Sequence, residues 1–357
     1  MRGSHRVPFT RINPVHPPHP DPLPGGERGN RPLGEFGRIT RFFKPLAAGF
    51  PGARGLRDDA AVFGVPDGRE LVVTTDAMVA GVHFFPDDAP ADIAAKLMRS
   101  NLSDLAAMGA EPLAYTLVTA LPRGLDESWL EGFAAGLGEE QRQFGIALAG
   151  GDSVSTSGPI TLSVTAFGLV PTGCALPRWG GQPGDRVFVT GSIGDAALGL
   201  EVAYGRLDIP DQDTRAHLLR RMRRPDPRMG VGPCLIGLAS GAMDVSDGLV
   251  ADLGHLCEES GCAALLRADA VPLSEAARGA IDGDPVRLAL AITGGDDYEL
   301  LFTAQPSARD ALAALAAECG VAITEIGELC PGTPGEVAVL DGAGVPLPLA
   351  RRGWDHF

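Results

Sequence analysis

The pattern of apolar and polar positions changes character at residue 34. Before it, Pro and His dominate and no apolar position recurs at a helical or strand period. The run His16-Pro17-Pro18-His19-Pro20-Asp21-Pro22 has too few backbone donors for a helix or an inner strand, so residues 1–33 read as a disordered extension. From Gly34 onward, short Val/Thr/Leu-rich runs alternate with stretches of helical spacing. Residues 71–76, 114–121, 160–170, 186–190 and 298–303 predict strands. Residues 92–108 follow Pro90, stop at Gly109 and predict a helix, as do 246–259 and 308–318. The Gly/Pro-rich stretch 171–185 breaks the alternation and predicts a connection between two α/β domains, 34–174 and 175–357. Next to it, GSIGDAALGL (191–200) joins a strand to a helix. Its glycines would serve a phosphate cradle at a helix N-terminus or merely a turn that needs positive φ.

Composition narrows the chemistry. The 357 residues are 45% hydrophobic and 21% charged, which suits a globular chain of two domains. A net charge of −15 argues against nucleic acid or an anionic membrane as partner. No apolar run approaches the roughly 20 residues of a membrane span, and the first residues lack the apolar core of a secretory signal. The six cysteines contain no C-x-x-C pair, so reduced thiols and a cytoplasmic setting are expected. The only lysines are Lys44 and Lys96, and there is no G-x-x-x-x-G-K-[ST], H-R-D, D-F-G, G-x-S-x-G or H-E-x-x-H. A chain of this kind that handles phosphates must neutralise them chiefly through metal ions.

The aspartates supply the candidates. Asp58 and Asp59 follow a glycine-rich turn, and Asp76 ends the run LVVTTD behind Thr74 and Thr75. Asp104 shares a helical column with Leu97, Asn101 and Met108. Asp152 follows Gly150-Gly151, Asp244 and Asp247 occur in MDVSDGL, and Asp296-Asp297 sit in TGGDDYEL. Each has a bland alternative: Asp104 a satisfied polar residue, Ser246 or Asp247 a helix N-cap, Asp58 a turn residue. Together they favour a crevice where hard cations collect oxygen ligands for a polyphosphate. His83 and Trp354 carry little signal by themselves.

The ordered series GEFGRI (34–39), DDAAV (58–62), TTDAMVAGVHF (74–84), NLSDLAAMGAEP (101–112), GGDS (150–153), VTGSIGDAALGL (189–200), MDVSDGLVADLGH (243–255), TGGDDYEL (293–300) and GWDHF (353–357) resembles the thiamine-monophosphate kinases. That resemblance implies the α/β (α+β) two-domain fold of the aminoimidazole-ribonucleotide synthetase superfamily, paired as a homodimer through N-terminal sheets. It implies ATP-dependent conversion of thiamine monophosphate to thiamine diphosphate on a site holding several Mg²⁺ ions. Magnesium would fall to Asp59, Thr74, Thr75, Asp76, Asp104, Asp152, Asp244 and Asp247. ATP would meet Gly151, Asp152, Arg178 and Ser246, and thiamine monophosphate would meet His83, Asp296 and Trp354. No residue is expected to act as general base. The sequence departs from the family pattern conservatively, with Asp296 where Glu is common, Trp354 where Tyr is frequent and GGDS for GGDT. Other readings fit less well. The selenophosphate synthetases need an N-terminal cysteine, the hydrogenase-maturation proteins of this fold need a C-terminal one, and the purine-synthesis enzymes match the motifs less closely. A non-catalytic metal or nucleotide binder would leave the aspartate set unexplained.

Overall fold

The first sheet is built from strands that alternate as their sequence does. The computed structural model of the chain describes residues 34–349 and Gly353. The Pro/His-rich segment 1–33, together with Trp354, lies outside the described residues. The described residues form one unit. After the short helix α1 (Glu35–Arg38) come β1 (Arg69–Val79), α2 (Pro90–Ala107), β2 (Glu111–Pro122), α3 (Glu127–Phe144), β3 (Ala147–Thr156) and β4 (Thr161–Pro171). The strands make a four-stranded sheet in the order β1-β4-β2-β3, antiparallel except for the β2–β3 pair. In β1 the side chains of Val72, Thr74, Asp76 and Met78 turn inward, while Leu71, Val73 and Thr75 are exposed on the opposite face.

Irregular chain from 172 to 185 leads into the second sheet, as the glycine and proline content predicts. Here β5 (Arg186–Thr190), α4 (Asp195–Ala203), α5 (Gln212–Arg223), β6 (Gly241–Asp244), α6 (Leu249–Ser260) and β7 (Ala263–Arg267) are followed by α7 (Glu275–Ile281), α8 (Pro285–Thr293), β8 (Leu300–Ala304), α9 (Arg309–Cys319), β9 (Ile323–Cys330) and β10 (Val337–Leu340). The strand order is β10-β7-β9-β5-β8-β6, with only β10–β7 parallel. Apolar clusters cover both faces. One gathers Val187, Val189, Leu253, Leu256 and Leu301 under α6, and the other gathers Phe188, Phe302, Leu312 and Leu315 under α9.

α2 is the element that joins the halves. It packs against the first sheet and α3 on one side and against β6, β8 and α5 on the other. It is therefore buried nearly all round, and Lys96, Arg99, Ser100, Asn101 and Ser103 are buried with it. Buried polar groups of this kind need partners. Arg99 forks onto Glu140 at 2.7 and 3.1 Å and reaches the Pro225 carbonyl at 2.9 Å. At the N-terminal end of α2, Arg223 binds Asp88 at 2.7 Å and Arg224 binds Asp92 at 2.5 Å.

Two elements start two or three residues later than the sequence predicts, for backbone reasons. The helix expected over 246–259 begins at Leu249, because Gly248 has φ 123° and the N–H groups of Ser246, Asp247 and Gly248 all donate to Asp252 Oδ2. The first-turn carboxylate thus does what an N-cap side chain would have done. The strand expected over 298–303 begins at Leu300, since Asp296 and Tyr298 hold φ of 71° and 52°.

Candidate active site

A cleft of about 880 Å³ opens between the two halves. The first half contributes the end of β1, the turn 81–85 and one side of α2. The second half contributes the start of α4, the loop 244–247 and the turn 294–298. Asp76, His83, Asp104, Asp244, Ser246, Asp247 and Asp296 all line it.

One end of the cleft is a pocket of carboxylates. Asp104, on α2, accepts a hydrogen bond from Thr74 Oγ1 at 2.5 Å. Burial pushes its carboxyl up to about 8, repulsion from Asp244 and Asp76 adds to this, and Thr74 and Arg178 oppose it. Burial also raises Asp244, with Asp252 and Asp76 contributing, against the pull of the nearby Ser103 hydroxyl, which makes no aligned hydrogen bond. Asp76 is raised by burial, while the Ser100 hydroxyl and His83 pull the other way. Tyr298 lies within the field of Asp296, Asp76, Asp244 and Asp104, and its phenol is held well above the ordinary value by burial first and then by these charges. Among the described residues no three His, Cys, Asp or Glu side chains stand close enough to ligate one ion. Two buried oxygens at this point, Asp244 Oδ2 and Ser103 Oγ, lack a hydrogen-bond partner. Mutually repelling carboxylates with an orphaned oxygen fit a hard cation that keeps part of its water and takes its remaining ligands from phosphates, as Mg²⁺ does.

The glycine turn before α4 is not a phosphate cradle. Gly194 N–H donates to Asp297 Oδ2 at 2.7 Å and Ala196 N–H to Asp297 Oδ1 at 3.4 Å, so a buried carboxylate already occupies that helix N-terminus. The two neighbours Asp296 and Asp297 thus point to different tasks, one lining the cleft and one capping α4.

Residues 57–170 match the N-terminal domain, and residues 182–339 the C-terminal domain, of AIR synthase related proteins. The thiamine-monophosphate kinase of Salmonella typhimurium is 41% identical over 325 residues, 91% of this chain and 98% of that protein. The chain belongs to the thiamine-monophosphate kinase family. Thiamine-monophosphate kinase from Stenotrophomonas maltophilia K279a, 42% identical, has a crystal structure that aligns at TM-score 0.73 over 80% of this chain and 89% of that one. AaThiL complexed with AMPPCP and TMP aligns at TM-score 0.72 and 29% identity, over 93% of this chain and 100% of that one.

Not every residue that the family resemblance marks converges on this cleft. Thr75 and Asp152 lie on the outer face of the first sheet: Asp152 stands in a cross-strand row with Val118, Ser163 and Ala77, one position away from the row that carries Asp76. Asp59 is exposed in the segment before β1. Gly151 has φ 157°, and a Cβ there would lie 1.9 Å from the Leu117 carbonyl, so close strand packing alone accounts for this glycine. Arg178 is exposed and still within electrostatic reach of Asp104. Lys96 and Tyr298 are among the cleft residues that the family resemblance does not mark. Lys96, Ser100 and Asp104 recur at i, i+4 and i+8, and that spacing puts all three on one side of α2.

Proposed function

We infer that the chain transfers the γ-phosphoryl group of ATP to the phosphate of thiamine monophosphate, releasing thiamine diphosphate and ADP, in the cleft between its halves. The observation that carries this reading is the mutual repulsion of Asp76, Asp104 and Asp244 in one cleft, with one buried oxygen of Asp244 left without a hydrogen bond. No fold needs such a group of charges for its own stability.

Asp76, Asp104, Asp244 and Asp247 would hold Mg²⁺, with Thr74 orienting Asp104, whereas Asp59, Thr75 and Asp152 stand apart from this cleft. Bound Mg²⁺ supplies charge neutralisation to the transferring phosphoryl group and its neighbours. The acceptor is already a phosphate oxygen, with a second pKa of about 6, so no side chain has to remove a proton. Ser246 and Arg178 serve ATP, while Gly151 and Asp152, which the family resemblance also marks, lie off this cleft. Asp296, His83 and Trp354 serve thiamine monophosphate, whose cationic thiazolium suits a carboxylate and an aromatic face.

The working unit in this proposal is a homodimer in the cytoplasm. The exposed row of Leu71, Val73, Val118 and Val154 on the outer face of the first sheet supports pairing there. Thr75 and Asp152 share that face, so pairing would bury them at the interface. Among the described residues no helix is long and apolar enough to cross a membrane. The test is ATP consumption with Mg²⁺, with and without thiamine monophosphate, and chromatography of the product. ATP hydrolysis indifferent to thiamine monophosphate would overturn the reading.

A further inference from the structure

Lys96 is one of two lysines in the chain, and its side chain is only 8% exposed. A buried ammonium costs several kcal/mol unless its donors are used, so its partners say what it is for. They come from opposite sides of the cleft. Lys96 Nζ donates to the His83 carbonyl at 2.9 Å in the turn after β1, and to Asp296 Oδ2 at 2.8 Å in the turn before β8. The first turn belongs to the N-terminal half and the second to the C-terminal half.

Both turns need holding. His83 Nδ1 accepts the Val79 N–H at 3.0 Å, so the ring moves with its own backbone, and Lys96 grips the carbonyl of that residue. Asp296 sits at φ 71° directly after Gly294-Gly295, a conformation that few side-chain-bearing residues adopt without support. Its backbone N–H donates to the Ser246 carbonyl at 2.8 Å. The Asp296 side chain remains 38% exposed, so Lys96 engages one oxygen and leaves the carboxylate open to the cleft.

We propose that Lys96 is a positioning residue for the thiamine end of the substrate: its ammonium fixes the Asp296 carboxylate and the His83 turn across the cleft. This rests on the reading of Asp296 and His83 as substrate contacts. Lys96 acts through Asp296 and does not itself grip the phosphate. Among the described residues the other two cations on the cleft wall are engaged in the same manner, Arg223 with Asp88 and Arg206 with Glu201, which keeps this wall acidic toward a cationic ring.

The test is calorimetric binding of thiamine monophosphate and of thiamine, which lacks the phosphate, to the full chain and to the variants Lys96→Met, Lys96→Arg, Asp296→Asn and the Lys96→Met/Asp296→Asn double variant. Steady-state KM and kcat and the melting temperature are measured on the same samples. Positioning requires that Lys96→Met weaken both ligands by a similar factor, roughly tenfold. KM for ATP should stay within about twofold, Lys96→Arg should recover most of the loss, and the double variant should be no weaker than Asp296→Asn alone. Loss confined to thiamine monophosphate would make Lys96 a phosphate contact and overturn the proposal. Tighter thiamine binding in Lys96→Met would mean that the pair merely screens Asp296, and would overturn it too. Equal weakening of ATP with a lowered melting temperature would reduce Lys96 to a fold contact. Should Lys96→Met fail to fold, Lys96→Arg binding both ligands as weakly as Asp296→Asn does would refute the positioning role. Binding unchanged in Asp296→Asn would refute the underlying substrate-contact reading instead.

Discussion

Replacing Asp104 by Asn should make the protein more stable and nearly inactive. The amide oxygen can keep the 2.5 Å bond from Thr74 Oγ1, so the local geometry survives while the charge is removed. In the folded chain burial, with Asp244 and Asp76 close by, pushes the Asp104 carboxyl up to about 8, against an ordinary value of 3.8. A carboxyl raised on folding contributes stability that is complete below its unfolded pKa and is lost as pH rises through the folded one. Metal-free protein should therefore lose stability from Asp104 progressively between about pH 4 and pH 8. One pKa unit corresponds to about 1.4 kcal/mol, and solvent reaching the cleft reduces the penalty, leaving on the order of 1–3 kcal/mol at pH 7. At a few degrees per kcal/mol, the Asp104→Asn protein without metal should melt roughly 2–8 °C higher at pH 7, and the gain should shrink toward pH 4. Turnover should fall by about 10²–10⁴, because one charged ligand of the phosphate site is gone. The assay is differential scanning fluorimetry from pH 4 to pH 8, with and without Mg²⁺, beside ATP-coupled kinetics. Mg²⁺ should raise the melting temperature of the unaltered protein more than that of the variant. An Asp104→Asn protein that melts lower, responds equally to Mg²⁺ and turns over normally would refute the argument.

Two further outcomes follow from the same structure, and a third from the substrate role proposed for Trp354. Because Asp104 and Asp244 hold protons above the usual carboxylate range, Mg²⁺ binding at pH 7 should release protons, seen as a binding heat that varies with the ionisation enthalpy of the buffer; identical heats in phosphate and Tris would contradict this. Val73→Lys places a charge on the outer face of the first sheet, where Val73 is 53% exposed, and should turn the proposed dimer into a monomer by light scattering; an unchanged mass would overturn pairing through this face. Trp354→Ala should raise KM for thiamine monophosphate by roughly tenfold to a hundredfold, from about 1–3 kcal/mol of lost ring contact, with KM for ATP nearly unchanged; equal weakening of both substrates would make Trp354 a packing residue.

Local patterns were sufficient for the strand runs 71–76 and 186–190 and for the helix after Pro90, because period and punctuation act within a few residues. The ordered aspartate motifs identified the chemistry and the family, since cation and phosphate chemistry demands particular residue types. Only the tertiary structure decided which of these residues meet. Alternation along β1 sends Asp76 into the cleft and Thr75 to the outer face, although the two are neighbours in sequence. In TGGDDYEL the positive φ of Asp296 opens one aspartate to the cleft while the next caps α4, a division that no sequence period encodes. Helical spacing over 92–108 does not single out Lys96; the packing of the C-terminal half on α2 does, by placing Asp296, 200 residues away, 2.8 Å from its ammonium. The reason is physical: hydrophobic period fixes which face of an element is buried, whereas the charge that a buried polar group needs is supplied by whichever distant segment packs against it.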